Sequence, residues 1–71
     1  MKSYTVIYEK IKGNYSAYIP DLPGCVACAD TLNETEELIK EAIELYLGAL
    51  RVRGQPVPEP TTTAKALSVP I

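Results

Sequence analysis

The spacing of apolar and polar positions changes character along the chain, and each change marks an element. Tyr4-Thr5-Val6-Ile7-Tyr8-Glu9-Lys10 is rich in β-branched and aromatic residues and predicts a strand with one mostly apolar side. Lys12-Gly13-Asn14 carries turn chemistry, and Tyr15-Ser16-Ala17-Tyr18-Ile19 alternates as a second strand, giving an antiparallel hairpin. The stretch from Pro20 to Gly24 holds two prolines and a glycine, which cannot continue a ladder. Cys25-Val26-Ala27-Cys28-Ala29 then resumes as a short third strand.

Beyond Asp30 the period becomes helical. Thr31 predicts an N-cap, with Glu34 three residues on completing a capping box. From Leu32 to about Val52, the apolar stripe is Leu38, Ile39, Ala42, Ile43, Tyr46, Ala49 and Leu50, while Glu37, Lys40, Glu41, Glu44 and Arg51 face water. Gly54 and Pro56 predict the stop. Leu45 and Leu47 widen the stripe to about half of the helix circumference at 100° per residue. A sheet of three or four strands covers less than that. The excess lies either under the C-terminal tail or against another chain. Residues 55–66 form an extended, proline-rich connector, and 67–71 alternate weakly as a possible edge strand. The expectation is one α+β domain over 1–71, ordered β-β-β-α-β, with an antiparallel sheet against one long amphipathic helix.

Composition narrows the function. A chain of 71 residues buries only about 60% of its unfolded surface, which makes association with other chains a natural source of further burial. The net charge of −2 disfavours unaided binding to a phosphate backbone and suits a basic partner. There is no apolar run of about 18 residues and no secretory core after Met1, so a cytoplasmic protein is expected.

Candidate chemistry is sparse. Cys25 and Cys28 form a C-x-x-C, but a zinc site would need further thiol or imidazole ligands, and the chain has two cysteines and no histidine. Inside a strand, residues three apart point to opposite faces, so two structural cysteines are expected rather than a redox pair. Among the carboxylates, Asp21 sits between prolines as a turn residue, Asp30 ends a strand and Glu34 belongs to the cap. Ser3, Ser16 and Ser68 lack the surroundings of a nucleophile. No catalytic residue, metal ligand or cofactor is therefore assigned. The candidate contacts for a partner or oligomer are Tyr4 and Tyr8, on one side of the first strand, Leu22 in the stiff Pro20–Cys25 loop, and Leu47 on the helix flank.

The run Tyr18-Ile19-Pro20-Asp21-Leu22-Pro23-Gly24-Cys25, followed by Asp30-Thr31-Leu32 and Ile39-Lys40-Glu41-Ala42-Ile43, resembles the HicB-like antitoxins. The tail Gly54-Gln55-Pro56-Val57-Pro58-Glu59-Pro60 fits the same family. The resemblance implies a degraded RNase H-like core and a homo-oligomer, dimer or tetramer. It also implies that the chain binds a HicA-like toxin, a small basic ribonuclease, and masks its active surface. Full members usually add a DNA-binding module. About 17 residues follow Gly54 here, too few for a helix-turn-helix, and Ala29 stands where the family often has glycine. Two other readings accompany this one: a stand-alone oligomeric or regulatory module, and a residual metal-dependent nuclease.

Overall fold

The structure is a computed structural model, and it describes residues 2–71. The elements run in the order β1 (Ile7–Ile11), β2 (Asn14–Tyr18), β3 (Val26–Ala29) and α1 (Leu32–Val52). The strands form one antiparallel sheet in the order β1-β2-β3. The expected α+β class, with this sheet against one long helix, is what the chain adopts.

Register follows from the turns. Ile11 pairs with Asn14 across the two-residue link Lys12-Gly13, and Gly13 adopts φ +84°, which its missing Cβ permits. After Tyr18 the chain makes two successive β-turns. The Leu22 N–H donates to the Ile19 carbonyl at 3.0 Å, and the Cys25 N–H donates to the Leu22 carbonyl at 3.0 Å. Pro20 and Pro23 each take the second position of a turn, where a fixed φ near −65° is already correct. Gly24 follows at φ +85°, as a Pro-Gly turn requires. These turns explain why two strands are shorter than their patterns suggest. Ile19 bends away and leaves Val6, Thr5 and Tyr4 without a β2 partner, while Cys25 closes a turn and β3 begins at Val26.

The double turn drives Leu22, the residue shared by both turns, into the centre of the fold. Leu22 is 0% exposed and joins Ala17, Ile19, Cys25 and Ile39 in one buried cluster. Tyr4, Val6, Tyr8, Ala27, Ala42, Ile43, Tyr46 and Leu47 pack around it, half-buried. Full burial of Leu22 and Ile39 contributes roughly 2 kcal/mol each.

The helix has complete ends. Thr31 is extended (φ −123°, ψ 160°), and its hydroxyl oxygen accepts from the Glu34 N–H at 3.1 Å. The Thr31 hydroxyl in turn donates to the Glu34 carboxylate at 2.9 Å, so the box closes through side chains. Thr35 is fully buried although polar. Its hydroxyl donates to the Thr31 carbonyl at 2.8 Å, which removes the cost of burying it. At the far end, Gln55 N–H donates to the Leu50 carbonyl and Gly54 N–H to that of Arg51, a Schellman motif. Gly48 sits mid-helix with a negative φ, and a Cβ built there meets nothing within 4 Å. Glycine at such a position costs about 1 kcal/mol of helix stability relative to alanine, and nothing within this chain requires it.

The edge strand expected at 67–71 does not form. Residues 55–71 contain no strand, and 63–71 are exposed throughout. Beyond Thr62 the chain buries nothing, so the alternating Leu67, Val69 and Ile71 have no face to pack against, and Pro70 lacks a ladder donor.

Candidate partner interface

The residues expected to meet a partner are distributed differently from the expectation. Leu22 faces inward and is core, so it is removed from the contact set. The Pro-Asp and Pro-Gly turns expose their prolines and hide the leucine between them. Tyr4 is half-buried, and its hydroxyl donates to the Pro58 carbonyl at 2.6 Å, so it tethers the tail. Tyr8 is half-buried on the helix side of the sheet, where burial and then the nearby Glu36 carboxylate raise its phenol above the ordinary range. Leu47 is half-buried against the core. Tyr4, Tyr8 and Leu47 thus keep part of their surface, but each has a packing role inside the chain.

Asp21 was expected to bond within its own turn. Instead, its carboxylate accepts hydrogen bonds from residues 40 and 41 positions later: Thr61 N–H (3.1 Å), Thr61 hydroxyl (3.0 Å), Thr62 N–H (3.1 Å) and Thr62 hydroxyl (2.9 Å). The Thr62 N–H contributes most to holding the carboxyl below its ordinary value of 3.8; partial desolvation opposes this, and the remaining donors reinforce it. Thr5 adds a hydroxyl bond to the Thr62 carbonyl at 2.7 Å, and Lys2 pairs with Glu59. Sequence reasoning missed Thr61 and Thr62. Only their position after a proline-rich return segment, with an unpaired Asp upstream, hinted at the clasp.

Among the described residues of the sheet and helix, apolar side chains are exposed on two faces. Because strand side chains alternate between faces, Ile7, Tyr18 and Val26 form one cross-strand row on the side of the sheet away from α1. Val26 is 63% exposed and Tyr18 39%. The second surface lies on the outer side of α1, where Leu38, Leu45 and Val52 repeat every seven residues and are 42%, 76% and 89% exposed. Period-two and period-seven spacing are both visible in the sequence. Which side they would face is not, until the register is known.

Cys25 is buried and Cys28 exposed, both as free thiols, so the C-x-x-C divides between the two sides of the sheet. Burial raises the Cys25 thiol above its ordinary pKa, the opposite of what a reactive thiolate needs. Among the described residues, no three His, Cys, Asp or Glu side chains gather into a metal-binding group, and no pocket is enclosed. No helix among them is long and apolar enough to cross a membrane.

The described residues form a small α+β domain, a three-stranded antiparallel sheet against one long helix, with apolar side chains left exposed on both. The chain belongs to the HicB-like antitoxins of bacterial toxin-antitoxin systems, whose pattern it matches over residues 4–70. It is similar to a UPF0150 protein of Synechocystis, 44% identical over 68 residues, covering 94% of this chain and 86% of that protein. A UPF0150 protein of Archaeoglobus fulgidus is 49% identical over 47 residues, 66% of this chain and 68% of the relative. An uncharacterized 14.9 kDa protein of Haemophilus phage HP1 is 28% identical over 67 residues, 94% of this chain and half of the phage protein. No solved structure matches. The family is one of antitoxins and not of enzymes.

Proposed function

We propose that this chain is the antitoxin domain of a cytoplasmic toxin-antitoxin pair, and that it neutralises a small, basic HicA-like ribonuclease by covering the surface that cleaves RNA. Membership of the antitoxin family over residues 4–70 carries this reading. The charge distribution supports it. Glu34, Glu36, Glu37, Glu41 and Glu44 are all exposed on the first two-thirds of α1, with Lys40 the one cation among them. An acidic helix of this kind steers a basic protein toward itself and repels RNA. The outer sheet row of Ile7, Tyr18 and Val26 adds an aromatic and aliphatic patch of the sort that anchors a protein partner.

The test uses a HicA-like ribonuclease encoded beside this chain, purified and supplied with RNA. Adding the full chain at a stoichiometric excess is expected to stop cleavage and to yield a stable complex on gel filtration. Unhindered cleavage under those conditions would overturn the proposal. Val26→Glu, on the exposed end of the sheet row, is expected to restore cleavage while leaving the fold intact by circular dichroism.

A further inference from the structure

We infer that residues 57–62 are a releasable strap that keeps the double turn closed over the core, with Thr62 as its keystone and Asp21 as its catch. This goes beyond toxin binding and does not rest on it. The chain bends at Ile19, so Tyr4, Thr5 and Val6 have no β2 partner, and the stretch before β1 lacks a ladder to the double turn. The strap spans that gap. The Thr62 carbonyl accepts from the Thr5 hydroxyl at 2.7 Å, while the Thr62 N–H and hydroxyl donate to the Asp21 carboxylate at 3.1 and 2.9 Å. One residue therefore ties the segment before β1 to the turn that follows β2. Lys2 on Glu59, and the Tyr4 hydroxyl on the Pro58 carbonyl, hold the other end of the strap.

What the catch controls is the central leucine. Asp21 stands directly before Leu22, which is 0% exposed, and it lies inside the first turn. Each of the two turns is closed by a single backbone hydrogen bond of 3.0 Å. Pro20 and Pro23 fix their own φ, which leaves the backbone of Asp21 as the pivot about which the first turn opens. With the tail docked, four hydrogen bonds from Thr61 and Thr62 hold that pivot in place. With the tail released, the same rotation breaks one backbone bond. Opening of the turn is thereby made conditional on release of the strap.

Release itself does not require unfolding. Among the described residues, no apolar side chain beyond Leu47 belongs to the buried cluster or packs around it, so the strap leaves the core without uncovering it. No backbone–backbone hydrogen bond joins residues 56–71 to the domain among those residues; the strap is held by side-chain groups at the surface. Thr61 is exposed and Thr62 half-buried, and 63–71 are exposed throughout, so the strap is reached from solvent at its free end. Contacts of this kind open locally, ahead of the packed core.

The test is native-state amide hydrogen exchange of the full chain, read residue by residue by NMR at neutral pH. In the wild-type protein, Thr61 and Thr62 are expected to exchange at least about tenfold faster than the centre of α1, relative to unfolded-chain rates. Thr61→Val combined with Thr62→Val keeps side-chain shape, removes both hydroxyl donors and lies 40 positions from the turn. It is expected to speed exchange at the Leu22 and Cys25 N–H groups about fivefold. Asp21→Ala is expected to speed them at least as much, and adding the two valines to Asp21→Ala to change nothing further, because both act through one clasp. Leu22 and Cys25 protection unchanged by the two valines would overturn the inference, as would additive effects in the triple variant. Thr61 and Thr62 exchanging as slowly as the α1 centre would show a tail that leaves only on global unfolding, and would overturn it too. If Asp21→Ala fails to fold, the two valines decide alone. None of these readouts involves a toxin, so a negative ribonuclease result leaves them unaffected.

Discussion

On the sheet side of α1, Ile39 is sealed into one cluster with Ala17, Ile19, Leu22 and Cys25; one position earlier on the same helix, Leu38 stands 42% exposed and Leu45, a further two turns on, 76% exposed. The two sides carry similar aliphatic residues, so hydrophobicity alone does not separate them. What separates them is coverage. Three strands and the double turn reach across roughly one side of the helix, and the tail is held by Asp21 and Thr5. Folding stability therefore resides on one side of α1, while the apolar residues of the other side stay exposed.

The largest expected effect breaks this contrast at its centre. Ile39→Ala should cost about 3 kcal/mol, a large share of the stability of a domain this small, read from urea denaturation in dilute solution. Leu38→Ala in the same dilute assay should change stability by no more than about 0.5 kcal/mol. Equal costs at the two positions would erase the distinction between the sides. Thr31→Ala should cost about 1 kcal/mol, because it removes the acceptor for the Glu34 N–H and the donor to the Glu34 carboxylate together.

A smaller, local effect concerns the tail. The lowered carboxyl of Asp21 means that the docked tail favours the deprotonated form more than a released tail does. Docking is thus fully present above the ordinary value of 3.8 and is lost as pH falls through the lowered value. Amide resonances of Thr61 and Thr62 followed during acid titration should report that loss, and Asp21→Ala should reproduce it at neutral pH. The smallest expected difference is chemical: Cys28 should react with a thiol reagent much faster than Cys25, whose thiol is buried and raised.

Most of the frame was legible in the residues. Pro20, Pro23 and Gly24 announce a break, Thr31 and Gly54 bound the helix, and the two periods name the strands and the helix without further help. Leu22 shows where local pattern stops being informative. A leucine between two prolines reads equally well as a displayed or a buried residue, and only the stacking of two hydrogen-bonded turns decides it. The edge strand failed for a related reason. Alternation at Leu67, Val69 and Ile71 is a local signal, but a strand also needs a sheet face that buries one of its sides, and all three side chains are exposed. The width of the helix stripe was visible; which part of it the sheet would leave bare was not, because that depends on how far three short strands extend.

The contacts that hold the tail also bring two remote stretches of chain together. Lys2 pairs with Glu59 across a sequence separation of 57, and the Tyr4 hydroxyl reaches Pro58 beside it. In polymer terms the path between them is a ring closed by non-covalent contacts alone, so unfolding releases the full configurational freedom of that loop. A covalent bond placed at this seam, where both side chains are exposed, would withhold about 4 kcal/mol of that freedom from the unfolded chain without touching the core.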